Sequence, residues 1–245
     1  MEGNYRTRIY GTYLSTSNLS PAPEKHECLK PRLPYLTKLI RQHFPIDRDA
    51  AILDLGCGHG ALIHLARQAE YRNIWGVDRS QEQVAAANKL CVEDVKQGDV
   101  IEILTKNQDE IFDCLIAFDL IEHFNRNELI SLIDEAYRVL KPGGRWIIHT
   151  PNAESPFGMR MRYWDITHEL AFTRTSISQL LLSSGFSRVE CNEDQPIPHG
   201  AISAIRWILW KAIRSLLRFY LMVETGDTGR DAVFSQNFLT VAFKR

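Results

Sequence analysis

The sequence feature that most restricts the fold is an apolar run, AILDL (51–55), that stops at the glycine-rich stretch GCGHG (56–60). A buried strand that breaks into closely spaced glycines can turn sharply and let its backbone approach a ligand with no Cβ in the way. The amphipathic stretch that follows, about 60–70, reads as a helix whose unpaired N–H groups point at that turn. The same rhythm then repeats along the chain. NIWGV (73–77) ends at Asp78, and Ser80 is placed to cap a helix running to about residue 90. A short strand near 93–97 leads to Gly98–Asp99. IFDCLIAF (111–118) is almost continuously apolar, as expected of a strand covered on both faces. A helix over 126–139 and a KPGG turn (141–144) precede RWIIHT (145–150). A helix at 174–183, FSRVEC (186–191) and VFSQNFLTVAFKR (233–245) complete the pattern. These alternating elements predict an α/β, doubly wound, Rossmann-like fold: a seven-stranded, mostly parallel sheet with helices on both faces.

With 245 residues and an apolar fraction of 44%, the chain suits one domain over 1–245. Three segments interrupt the rhythm. Residues 1–45 read as a polar arm or lid over 1–30, carrying Pro21 and Pro23, followed by a helix at 32–44. Residues 151–173 form a long loop rich in aromatic and charged side chains, and 195–231 an insertion dominated by one helix. A formal charge of −1 gives no global field for nucleic acid, so nucleic acid is not an expected partner. The five cysteines (Cys28, Cys57, Cys91, Cys114, Cys191) are scattered and form no CxxC, which predicts a reduced chain rather than a zinc site. The polar N-terminus has no secretory h-region and no run reaches the length of a membrane span. The expected location is therefore cytoplasmic, with peripheral contact at the inner face of the membrane left open.

Four acids stand where consecutive strands end: Asp54, Asp78, Asp99 and Asp119. Open α/β sheets bind ligands at that edge. The spacing is GxGxG with an acid two residues ahead, which suits a cationic amino-acid ligand better than the pyrophosphate of a dehydrogenase. Taken in order, DLGCGHG, VD, GD, FDLIEHF and LKPGGRWIIHTPN, over about 50–152, resemble the class I S-adenosylmethionine-dependent methyltransferases. The resemblance implies S-adenosylmethionine as cofactor and a last strand antiparallel to its neighbours. It implies that Asp54, Gly56, Gly58 and Gly60 line the methionine part and that Asp78 holds the ribose. Asp99 and Val100 would flank the adenine, with Asp119 and Leu120 near the sulfonium. Cys57 and Arg79, inside the same two turns, complete the expected cofactor set.

Methyl transfer to an alcohol or phenol needs a group that removes the acceptor's proton. His168 is the leading candidate, with Asp165 and Glu169 available to orient it, and His149 at the end of the fifth strand is the second. Asp119, Glu122 and His123 form a DxxEH cluster similar to a cation-binding motif of ubiquinone-pathway O-methyltransferases. The same pattern also caps the next helix where no metal is bound, and no metal is expected here. Residues 201–223 form an amphipathic helix with Lys211, Arg214 and Arg218 on one side. Packing over the sheet, a lid or a dimer contact is the favoured role for it, and peripheral contact with a membrane the alternative. Monomer and homodimer both stay open. The stretch PNAESPFGMRMRYWDITHELAFT (151–173), Glu224-Thr-Gly226 and Ser235-Gln-Asn237 resemble methyltransferases of bacterial surface-glycan assembly, with Ser235 where a threonine is expected. That resemblance implies O-methylation of a sugar hydroxyl on a small-molecule or glycan acceptor. A phenol or quinone precursor is the alternative acceptor, and a non-catalytic S-adenosylmethionine-binding protein the alternative role.

Overall fold

A computed structural model describes residues 5–16 and 32–245. Cys28, Pro21 and Pro23 of the expected arm lie outside the described residues. Seven strands form one sheet in the order β3-β2-β1-β4-β5-β7-β6. They are β1 Ile52–Leu55, β2 Ile74–Asp78, β3 Val95–Gln97, β4 Phe112–Phe118, β5 Leu140–Pro151, β6 Arg188–Glu193 and β7 Asn237–Phe243. The first five run parallel, and β7 lies antiparallel between β5 and β6. Leu55 at the end of β1 is level with Val77 and Ala117, so the turns after β1, β2 and β4 open at one edge.

Alternation along the strands divides the core between the two faces. Leu53, Leu55, Leu115, Ala117, Trp146 and Ile148 pack on one side against α6 (Val100–Lys106), α7 (Arg126–Val139) and α9 (Arg174–Ser183). Ile52, Ile74, Cys114, Ile116 and Ile147 pack on the other against α3 (Leu33–His43), α4 (Ala61–Gln68) and α5 (Gln81–Lys89). A strand buried on both faces has no polar side to show, which is why β4 reads as one apolar run. Ser80 caps α5 by accepting from the Gln83 N–H, and Asn125 with Glu128 forms a capping box on α7.

Some elements differ from the sequence reading. The stretch after Asp99 is helix α6, which Asp99 caps by accepting from the N–H groups of Ile101 and Glu102. KPGG is not a free turn but part of β5, because the N–H of Gly143 and the carbonyl of Gly144 both pair with Lys244. The long loop contains a short helix, α8 (Gly158–Arg162). The arm contributes α1 (Tyr5–Tyr10) and α2 (Tyr13–Thr16), and the second insertion is α10 (Ala201–Thr225). Among the described residues no helix is long and apolar enough to cross a membrane.

Candidate active site

The turn after β1 is fixed by its backbone. The N–H groups of Gly56 and Cys57 both donate to the Val77 carbonyl, at 2.8 and 3.1 Å. Gly56 has φ +68°, and a Cβ there would stand 2.9 Å from Leu120 Cδ1. Asp78 ties this turn to the next, accepting from Gly58 N–H with one oxygen and Ser80 N–H with the other, each at 2.8 Å. Burial pushes its carboxyl up, against those two bonds. Gly56, Gly58, Asp78, Arg79, Asp99, Val100, Asp119 and Leu120 line a cleft of about 280 Å³ at the carboxyl edge of the sheet. Arg6, Tyr10 and Tyr13, which belong to the segment that reads as an arm or lid but are not singled out in the sequence, supply wall as well.

Three residues of the expected cofactor set stand behind that wall. The Cys57 side chain points into the sheet, where a Cβ on Gly76 would meet its Sγ at 2.6 Å. Gly60, at φ +75°, starts α4 with its Cβ direction closed by Val92 and Val95, so packing is what requires glycine there. Asp54 is 2% exposed, and its Oδ1 has no hydrogen-bond partner among the described residues. Burial, reinforced by Asp78, pushes its pKa up to about 8. A buried carboxyl kept protonated beside a glycine turn would ionise next to a bound cation. Asp78, Asp99 and Asp119 in the lining would repel a pyrophosphate and suit the ammonium, sulfonium and ribose hydroxyls of S-adenosylmethionine.

His149 does not have a free nitrogen with which to act as a base. Nδ1 contacts Asp119 at 2.6 Å and Nε2 contacts Asp194 at 2.7 Å, and Tyr35 on α3 donates to Asp194. Burial opposes charging this imidazole, but the two carboxylates outweigh it and raise its pKa well above the usual value. His149 is thus a buried imidazolium between two acids, stacked at 4.7 Å on Phe118. Burial likewise opposes ionisation of Asp119, and His149 reverses that and holds the carboxyl low.

His123, which the sequence reading grouped with a cation motif, is the imidazole that lines the cleft. Thr167 donates its hydroxyl to Asp165 at 2.7 Å, so its oxygen accepts from His123 Nδ1–H at 2.8 Å. Asp165 therefore orients His123 through Thr167, not His168, and it also accepts from the Tyr13 hydroxyl. His168 stands beside His123, ring centroids 4.8 Å apart, outside the lining of the cleft. Its Nδ1 contacts the Met161 carbonyl at 3.0 Å, which requires the proton on Nδ1 and a lone pair on Nε2 of the neutral ring. Burial, then the neighbouring His168, lowers His123 to about 4. Glu169 is engaged by Tyr5 and Arg6 and orients neither ring. The DxxEH acids diverge: Asp119 turns to His149, while Glu122, His123 and His168 bring donor atoms within 4.8 Å of one another. Glu122 is fully buried, accepts from Thr150, and is raised to about 8 by burial and by Asp119.

A model of the methyltransferase domain matches residues 29–191, more than half of the chain. A ubiquinone biosynthesis O-methyltransferase of Xylella fastidiosa is 31% identical over 137 residues, 54% of this chain and 52% of that protein. A probable S-adenosylmethionine-dependent methyltransferase of Mycolicibacterium smegmatis is 26% identical over 151 residues, 61% of this chain and 56% of that protein. The chain thus spans about half the length of the curated relatives it matches. Its fold is similar to that of a SAM-dependent methyltransferase from Archaeoglobus fulgidus, with TM-score 0.63 and 20% identity, covering 99% of this chain and 100% of the other. A Haemonchus contortus phosphoethanolamine N-methyltransferase, solved with S-adenosylmethionine, aligns with TM-score 0.60 and 18% identity, over 86% of this chain and 52% of that one. The chain belongs to the methyltransferase-domain family.

Proposed function

We propose that this protein transfers a methyl group from S-adenosylmethionine to a hydroxyl oxygen, with a sugar hydroxyl as the leading acceptor. The observation that carries the reading is the imidazole of His123 in the cleft wall, its tautomer set by the Thr167–Asp165 relay. When bound, S-adenosylmethionine supplies an electrophilic methyl for in-line displacement. A hydroxyl nucleophile must also lose a proton, whereas a neutral amine attacks without that help. His123 is neutral over the ordinary pH range and offers Nε2 to accept that proton, while Asp165 stabilises the charge that develops on the ring. His168, with its own Nε2 lone pair beside His123, is the second candidate base. Asp119, kept ionised by His149, presents negative charge to the cationic part of the cofactor.

The sugar reading is supported by the resemblance carried by 151–173, 224–226 and 235–237. Asn152 donates to the carbonyls of Val233 and Ser235, so the first and last of these segments are bonded together at the carboxyl edge. A phenol or quinone precursor is the second reading. It is supported by similarity to the ubiquinone biosynthesis enzyme and by the carboxylate and two imidazoles of Glu122, His123 and His168, a donor set suited to a divalent cation.

The test is turnover with methyl-labelled S-adenosylmethionine on matched panels of sugar or nucleotide-sugar acceptors and of catechols, each with magnesium and with EDTA. The expected result is transfer to a sugar hydroxyl unaffected by EDTA, reduced about 10²–10⁴-fold in His123→Ala. Magnesium-dependent transfer to catechols alone would move the assignment to the second reading. Transfer to amines with no effect of His123→Ala would overturn both.

A further inference from the structure

Ten of the nineteen large hydrophobic side chains exposed among the described residues lie on helix α10. Ile202, Ile205, Leu209, Leu216 and Val223 recur at intervals of three, four or seven along one stripe and are 57–79% exposed. The basic residues do not form the outer face that periodicity alone suggests. Arg214 pairs with Glu193 and donates to the Ala232 carbonyl, and Arg218 donates to the Thr228 carbonyl, so both hold the helix to its own return loop. The outward stripe is instead flanked by exposed Arg206 and Lys211, the latter 4.4 Å from the half-buried Trp207 ring. Glu224 is the only acid on the helix.

A second exposed apolar and basic group rises from the same edge of the sheet. In and after α8, which follows the end of β5, Met159, Tyr163, Trp164 and Ile166 are 56–79% exposed, and Arg160 lies over the Trp164 ring at 5.4 Å. α10 leaves from the end of β6 and returns into β7, also at the edge where the cleft opens. Both groups combine apolar side chains with aromatic rings and with cations that form no ion pair among the described residues, while the chain as a whole carries −1. A second copy of the chain could meet the stripe, but the helix offers no acid along 201–223 to answer Arg206 and Lys211.

We propose that α10 and the α8 segment form a face that lies on an anionic lipid surface and brings the mouth of the cleft to it. At 25 residues the helix is about 37 Å long, and it lies on the bilayer rather than through it. The apolar stripe enters the headgroup–acyl boundary, and Arg206, Lys211 and Arg160 meet the lipid phosphates. The acceptor, under this proposal, is one presented at a lipid surface. That last step rests on the reading of the cleft as the cofactor site, so cofactor binding is measured in the same samples.

The experiment is cosedimentation of the purified full chain with vesicles of phosphatidylcholine alone and of equal parts phosphatidylcholine and phosphatidylglycerol. Calorimetric binding of S-adenosylhomocysteine is measured alongside. The unaltered protein is expected to sediment with the anionic vesicles and to be released by salt. Each cation near the surface contributes roughly fivefold in partitioning, so Arg206→Glu/Lys211→Glu is expected to lose at least about twentyfold. Leu209→Glu/Leu216→Glu is expected to lose binding as well, and both variants to keep S-adenosylhomocysteine affinity. No sedimentation of the unaltered protein, or equal sedimentation of the variants, would overturn the proposal. So would a dimer on a sizing column that Leu209→Glu/Leu216→Glu dissolves, which would make the stripe a seam between copies. Loss of S-adenosylhomocysteine binding in the unaltered protein would instead overturn the reading of the cleft.

Discussion

Asp54 is buried, lacks a partner for one oxygen among the described residues and is pushed up to about 8, so without ligand it is mostly protonated at neutral pH. A cationic group favours the carboxylate, so binding S-adenosylmethionine below that pH releases a proton. Affinity should therefore rise with pH, by at most about tenfold per unit, and level off above about 8. Calorimetry from pH 6 to 9 in buffers of different ionisation enthalpy measures both the slope and the proton. An affinity flat across that range, with no proton released, would remove Asp54 from the binding event. Gly60→Ala separates packing from binding at the same turn. Its Cβ would stand 2.8 Å from Val92 and 2.9 Å from Val95 at φ +75°, a loss of about 1–3 kcal/mol in stability. Ligand affinity per folded molecule should stay unchanged, as thermal melts and titration on one sample would show. The sequence made the glycines legible as a turn, but not which of them faces the ligand. That depends on Val92 and Val95, more than thirty residues further along the chain.

Among elements, the arm is tied across the cleft by contacts invisible to any local pattern. Arg6 makes a two-pronged bond to Glu128 at 2.8 and 2.7 Å, on the residue that also completes the α7 capping box, and Tyr13 reaches Asp165, 152 residues away. Arg6→Ala should speed release of the cofactor several-fold while costing only about 1 kcal/mol in stability, since Glu128 is 36% exposed. Stopped-flow dissociation read against thermal melts tests this, and an unchanged release rate would make α1 a bystander. Strands β1 and β4 were legible because full burial leaves an unbroken apolar run. Helix α6 escapes a reading by periodicity because it is only 7 residues long, and its cap, Asp99, reads from the sequence as a ligand contact. On α10 the period was legible but the inner face was not, because the partner of Arg214 is Glu193 on β6.

At the scale of the molecule, Asp119, His149, Asp194 and Tyr35 join β4, β5, the exit of β6 and α3 beneath the cleft. His149→Ala leaves two acids facing each other and should cost about 2–3 kcal/mol, less than for a wholly buried pair because Asp119 is 46% exposed. Since the folded-state pKa of His149 is raised, its contribution is fully present below about 6.5 and is lost as pH rises through the folded value. Asp119 is depressed, so its share is present above the ordinary carboxyl range and is lost as pH falls through its folded value. Denaturant melts against pH should show both losses in the natural chain and a flatter profile in His149→Ala. The cofactor half of the site was legible because each acid lies within two residues of the carboxyl end of its own strand. The acceptor half was not, since His149 meets partners 30 and 45 residues away and His123 is oriented by Thr167 from another loop. The central claim, that the cleft beneath Gly56, Asp78 and Asp119 holds S-adenosylmethionine, is tested most directly by titrating S-adenosylhomocysteine into the natural chain and into Asp78→Ala. The account predicts one saturable site in the natural chain and affinity lower by about 1.5–3 kcal/mol in a variant that stays folded, whereas equal affinity in the two, or no binding in either, would contradict it.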